Sequence, residues 1–196
     1  KLAASTINGV VIEPGETFSF WMLVKNAGRY GKYKDGLTVV NNKTVPVKGG
    51  GLCQISNMLF WLFLHTPLTV VERHPHSAET IPHPKGSEMP VGVDATIAEG
   101  WLDLKVKNET DERFQILIDF DSDTMYGAIL SNKMQYIKYE VESNNIRYTK
   151  ENNTIYRYNE IYKVMKLGNI KESKELILKN RCEIRYDIEA ETGIIN

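Results

Sequence analysis

Three consecutive glycines, Gly49-Gly50-Gly51, run through Leu52 into a cysteine, Cys53, and the cysteine opens a segment that is apolar at nearly every position as far as His65. This junction constrains the fold more than any other stretch. Glycine triplets continue neither a strand nor a helix cheaply, and they let backbone approach backbone or ligand. The spacing predicts a tight loop followed by a helix over 54–65. Leu59 to Leu64 is apolar on every side, so the helix is expected to be buried all round. It is too short to span a bilayer, which needs roughly 20 apolar residues. Pro67 ends it, because the residue before a proline avoids the helical region.

Cys53 therefore sits at the first turn of a helix. Open N–H groups and the helix dipole there favour an anion, which biases a thiol toward thiolate. The same amides are expected to receive an oxyanion on a carbonyl that Cys53 attacks. The plainer alternative is a small buried hydrophobe, the usual fate of a free cysteine.

Along the rest of the chain, Leu2 to Ile7 reads as a helix end closed by Asn8-Gly9, and Val10-Val11-Ile12 as a short strand. Pro14-Gly15 marks a turn, and Thr17 to Val24 an aromatic-rich strand. Leu37 to Val40 is a strand turned by Asn41-Asn42, and Leu68 to Glu72 another. Pro82, Pro84, Gly86 and Pro90 mark an irregular surface loop able to cover a site. Trp101 to Val106 alternates as a half-buried strand. Phe114 to Phe120 and Tyr126 to Leu130 read as an antiparallel pair. From residue 134 onward tyrosines alternate with polar residues, with turns expected at Asn144-Asn145, Asn152-Asn153 and Gly168-Asn169. The expected fold is α+β: a mixed or antiparallel sheet around one buried apolar helix, with a core domain over 1–133 and a C-terminal β subdomain over 134–196.

Composition limits the function classes. With 196 residues, 42% hydrophobic and 25% charged, the chain is ordinary globular material. A net charge of −1 gives no basic field for nucleic acid. Two cysteines, Cys53 and Cys182, allow one disulfide but no disulfide framework. The chain opens on Lys1-Leu2-Ala3-Ala4 without Met, as an excised piece would. No leader or membrane span is read in it, and the cellular address of the parent is left open.

Four ordered motifs carry a resemblance. They are Pro14-Gly15-Glu16-Thr17-Phe18-Ser19-Phe20, Gly49-Gly50-Gly51-Leu52-Cys53-Gln54-Ile55-Ser56, Glu72-Arg73-x-x-His76 and Gly92-x-Asp94-Ala95-Thr96. In this order and spacing they resemble the VanW family, which is linked to B-type vancomycin-resistance clusters. Trp61 to Pro67 and Asn180-Arg181-Cys182 are similar to it too, so the likeness runs through nearly the whole chain. Some proteins with this domain are peptidoglycan L,D-transpeptidases that use the motif cysteine as nucleophile. The resemblance implies that activity here, with peptidoglycan stem peptides as partners, no cofactor, and an extracytoplasmic address. Transient envelope or resistance-protein partners are a further expectation.

On this reading Cys53 is the nucleophile and His76 its general base or imidazolium partner. Asp94 orients the imidazole, with a turn or cap role as the plainer alternative. Arg73 is a candidate for a bidentate contact with a substrate carboxylate, against a plain salt bridge to Glu72 or Glu16. Gly50, Gly51 and Gln54 complete the expected substrate site, Gln54 through a backbone N–H or its side chain. His65, at the end of the buried helix, reads as structural, and His83 as solvated. A zinc site from His74, His76 and Cys53 is the weaker alternative, and no metal is assigned. Two non-enzymatic alternatives stand beside acyl transfer: a module that binds a peptidoglycan stem without turnover, and a structural scaffold.

Overall fold

Strands outnumber helices in the computed structural model, which describes residues 1–40, 43–83, 87–168 and 171–188. After a 3-10 turn at Ala4–Thr6 come β1 (Val11–Ile12), β2 (Thr17–Ser19), α1 (Phe20–Val24) and a second 3-10 turn at Ala27–Arg29. The hairpin β3 (Asp35–Val40) and β4 (Lys43–Lys48) leads into α2 (Cys53–Leu64). Then follow β5 (Thr69–Glu72), β6 (Ala78–Glu79), β7 (Lys105–Lys107), β8 (Phe114–Phe120) and β9 (Met125–Ser131). Three long strands close the chain: β10 (Ile137–Glu151), β11 (Thr154–Leu167) and β12 (Lys171–Ile184). The class is α+β, as expected, with every strand pair antiparallel among the described residues except β12 with β6. No helix among the described residues is long and apolar enough to cross a membrane.

The chain forms two compact units, Lys1–His74 with Ala95–Gln135, and Pro75–Asp94 with Tyr136–Asn196. The first holds the sheets β1-β8-β9 and β2-β7-β5 and the hairpin β3-β4. Its core includes Ile55, Leu59, Phe60, Phe63 and Leu64 of α2, together with Phe18, Phe20, Leu104, Val106, Phe114 and Ile116. Fully burying side chains of this size stabilises by roughly 1.5–3 kcal/mol each. Phe63 meets Phe18 with ring centroids 5.1 Å apart. The helix is not buried on every side: Met58, Trp61 and Leu62 are half-buried. On that flank β9 comes so close that a Cβ on Gly127 would lie 2.6 Å from Leu62 and 2.9 Å from Met58.

Two strand expectations in this unit are corrected. Thr17 to Val24 is a strand only to Ser19 and then a helix. The Ser19 hydroxyl accepts the Met22 N–H at 3.2 Å, and the buried Asp103 carboxylate takes the Ser19 hydroxyl at 2.6 Å and the Trp21 N–H at 3.1 Å. Side-chain caps of this kind outweigh an aromatic-rich strand pattern. In Trp101 to Val106 only Lys105 and Val106 are strand, the start of β7. The carbonyl of Ala98 accepts N–H groups from both Trp101 and Leu102, which closes a turn and leaves Trp101 80% exposed.

The second unit is the sheet β10-β11-β12-β6. Asn152 and Asn153, both at positive φ (47° and 66°), make the tight β10–β11 turn. Asn144-Asn145 makes no turn: β10 continues through it with a register shift between Asn144 and Arg147, a β-bulge with Asn145 at φ 54°. Asn41-Asn42, Pro84, Gly86 and Asn169 lie outside the described residues. One face of β11 buries Arg157, Asn159, Ile161 and Lys163, an unusually polar row.

Candidate functional site

Each glycine before Cys53 has a backbone reason. Gly49 and Gly51 adopt φ 80° and 84°. Gly50 faces Gly36 so closely that its Cβ would lie 2.0 Å from the Gly36 carbonyl oxygen. The triplet is thus the foot of the β3–β4 hairpin folding into the helix. Cys53 is the first residue of α2 and is half-buried. Leu52 caps with no side-chain bond, and no acidic residue occupies the first turn. A thiolate there meets the positive end of the helix without a competing carboxylate, worth about 0.3–1 kcal/mol.

The expectation of open amides across this turn narrows. The Gln54 N–H donates to Gly51 at 3.1 Å, Ile55 to Leu52 at 3.0 Å and Ser56 to Leu52 at 3.3 Å. Gln54 is left with its exposed side-chain amide as donor. That residue, with Gly50 and Gly51, lines a cleft of ≈ 600 Å³ with Lys32, Lys34 and Asp121. Tyr33 forms part of the wall, its hydroxyl buried without a hydrogen-bond partner. Burial, then the charge of Glu99, raises that phenol's pKa.

His76 and Asp94, eighteen residues apart, are brought together in the second unit. Asp94 Oδ2 accepts the His76 backbone N–H at 2.6 Å and Nδ1 of its ring at 2.5 Å. A carboxylate at Nδ1 fixes the tautomer with the proton there and leaves Nε2 to exchange one. Neither residue is fully buried, with side-chain exposures of 32% and 19%.

Cys53, Gly50, Gly51, Gln54 and Arg73 belong to the first unit. The Arg73 guanidinium lies over the Phe60 ring at 5.2 Å. Glu72, named as its plainer partner, is hydrogen-bonded by Lys105 at 2.7 Å and His74 at 3.0 Å. His65 is structural, with Nδ1 on the Trp61 carbonyl at 2.8 Å. His83 is bonded rather than simply solvated, its Nε2 lying 2.8 Å from the Met89 carbonyl. Both cysteines are thiols. Burial, ahead of the Glu79 charge, pushes the Cys182 thiol up to about 12. Among the described residues no group of three or more His, Cys, Asp or Glu side chains is placed to hold a metal ion.

Sequence reasoning missed the residues that hold Ala95. Ser56 donates to the Ala95 carbonyl at 2.6 Å, and the Asn57 side chain accepts the Ala95 N–H at 2.7 Å. Their signal was visible: two adjacent polar residues inside an otherwise apolar helix have to find buried partners.

The family described as VanW like protein matches residues 1–130, the stretch that carries all four motifs. The chain belongs to the VanW family. A VanW-family relative from Enterococcus faecalis (strain ATCC 700802 / V583), vancomycin B-type resistance protein VanW, is 45% identical over 191 residues. That match covers 96% of this chain and 69% of the relative. Its name links the family to vancomycin resistance. The uncharacterized protein YoaR of Bacillus subtilis (strain 168) is 32% identical over 112 residues, 57% of this chain and 35% of that protein. No solved structure matches.

Proposed function

We propose that this chain is a peptidoglycan-modifying protein of vancomycin resistance, acting by cysteine acyl transfer of the L,D-transpeptidase type on the outer face of the membrane. The observation that carries the reading is the His76–Asp94 pair, with Nδ1 2.5 Å from the carboxylate. A carboxylate-oriented imidazole is what a thiol nucleophile requires as its proton partner. Cys53 is the nucleophile at its helix start.

In this reaction the Cys53 thiol gives its proton to His76 Nε2. The thiolate attacks a peptide carbonyl of a stem, and the oxyanion is received by the Gln54 side-chain amide. The C–N bond breaks, the leaving amine of a terminal D-residue takes the proton from the imidazolium, and a thioester remains. The amine of a second stem then attacks the thioester carbonyl and returns its proton to Nε2 as the C–S bond breaks. Water in place of the amine makes the reaction a peptidase. Arg73 holds a stem carboxylate, and Gly50 and Gly51 let the stem backbone approach.

The experiment is incubation with purified muropeptides followed by mass spectrometry, comparing the intact chain with Cys53→Ala and Asp94→Asn. A covalent adduct on Cys53, no product from Cys53→Ala, and a fall of about 10²–10⁴ in Asp94→Asn are expected. Equal product from the intact chain and Cys53→Ala rejects the reading. The cleft beside Gly50, Gly51 and Gln54 favours one second reading, stem binding without turnover. On that reading Cys53→Ala retains muropeptide affinity and no chain gives product.

A further inference from the structure

Asn159 and Asn180 stand directly opposite each other on β11 and β12. Both are buried, 2% and 5% exposed. Asparagine is disfavoured in the middle of a strand and is costly to bury unless its amide is used. Both amide nitrogens donate to one segment; that of Asn159 also donates to Ser143 Oγ at 2.9 Å, while its buried Oδ1 accepts no hydrogen bond. Asn159 Nδ2 donates to the Val91 carbonyl at 2.9 Å, and Asn180 Nδ2 donates to the Gly92 carbonyl at 2.9 Å. Two bonds thus hold two consecutive carbonyls. Gly92, at φ 87°, lies flat against the pair: a Cβ there would fall 2.4 Å from Asn159 and 2.6 Å from Asn180.

The gripped segment ends two residues later at Asp94, whose carboxylate holds His76. The other end is tied down too. The Glu183 N–H donates to Ser77 at 3.0 Å and the Arg185 N–H to Glu79 at 2.9 Å, beside the parallel β6–β12 pairing. Arg157, 1% exposed, meets Glu79 at 2.6 Å. Of the chain between His76 and Asp94, the described residues Ser77, Ala78, Glu79, Val91 and Gly92 are thus fastened to a single sheet. These fastening strands lie beyond residue 130, where the family match stops.

We infer that Asn159 and Asn180 are positioning residues for the His76–Asp94 pair, and that the C-terminal sheet serves as the jig that holds the carboxylate on the imidazole. The inference rests on the role proposed above for that pair, but its test does not need turnover. Imidazole ¹⁵N shifts report the tautomer of His76 directly. In the intact chain the Nδ1–H form is expected to dominate at neutral pH. In Asn159→Ala, in Asn180→Ala and in Gly92→Ala, which keeps both amides but pushes the segment off them, the ratio is expected to move about tenfold toward Nε2–H, the size of one charge-assisted hydrogen bond. Ile161→Val, on the same buried face, is expected to leave it unchanged. The Asp94→Asn chain supplies the reference for a lost carboxylate. Should Gly92→Ala or either asparagine variant remain folded by far-UV circular dichroism with the His76 tautomer ratio of the intact chain, the inference is overturned. Failure of the muropeptide assay with the tautomer shift intact would instead count against the acyl-transfer reading alone.

Discussion

Gly36 and Gly50 meet backbone to backbone: a Cβ on Gly36 would lie 2.2 Å from the Gly50 carbonyl oxygen, and one on Gly50 would lie 2.0 Å from that of Gly36. Neither carbonyl can yield without opening the hairpin foot, because Gly49, the residue before Gly50, donates its N–H to the Lys34 carbonyl at 3.0 Å. Gly36→Ala and Gly50→Ala are each expected to destabilise the chain by about 2–3 kcal/mol, the range of overpacking. Gly28→Ala, where a Cβ meets nothing within 4 Å, is expected to stay within about 1 kcal/mol of the parent, on the stabilising side. Urea unfolding of the three variants reads the difference. A Gly50→Ala chain as stable as Gly28→Ala would show that the close approach relaxes freely.

The two thiols are expected to differ in reactivity. Cys182 is 3% exposed and burial pushes its thiol up to about 12, whereas Cys53 is half-buried at a helix start. Iodoacetamide at pH 8 is expected to label Cys53 at least about a hundredfold faster in the folded chain, and both equally in denaturant. Peptide mapping by mass spectrometry checks this. Equal labelling of the folded chain would place Cys53 in no special environment.

Lys163 is 8% exposed, and burial lowers its pKa from 10.5 to about 8 while its ammonium rests 4.6 Å from the Tyr139 ring centroid. Between those two values the unfolded chain binds more protons than the folded one, so stability rises with pH there. Lys163→Met is expected to stabilise by about 1–3 kcal/mol at pH 7, with the gain shrinking from pH 8 to 10.5. Unfolding free energies across pH 7–10.5 measure it. A gain that does not vary with pH would assign the effect to packing.

Glu72 is held down at about 2, first by the Lys105 ammonium and then, against some burial, by His74 and the Asp103 N–H. Its folded value lies below the ordinary 4.5, so its contribution is complete above pH 4.5 and is lost as pH falls toward 2. Glu72→Gln is expected to lower the melting temperature at pH 7 and to flatten its fall across that acid window. Parallel acid limbs for the two chains would contradict the linkage.

Much of the local plan was legible because it is written in single residues. Pro14-Gly15, Asn152-Asn153 and the glycine triplet each carry a backbone demand that few other residues meet, and each turned where expected. The Asn144-Asn145 pair has the same chemistry yet makes a bulge, because the long pairing of β10 with β11 on both sides of it outweighs one local turn signal. The helix start at Cys53 was legible for the same local reason. The use already made of its amides was not, since that depends on how Gly51 and Leu52 direct their carbonyls.

What the sequence determined alone is the α+β class, the family, and the position of one thiol at the head of an apolar helix. These follow from motif spacing and from backbone preferences that act over a few residues. The tertiary structure decided which carboxylate meets which imidazole. It also decided that the two asparagines of a strand pair hold the segment between them. Such partnerships join residues far apart in the chain, and only folding selects them, because each buried amide or carboxylate must find the acceptor or donor that packing brings within reach.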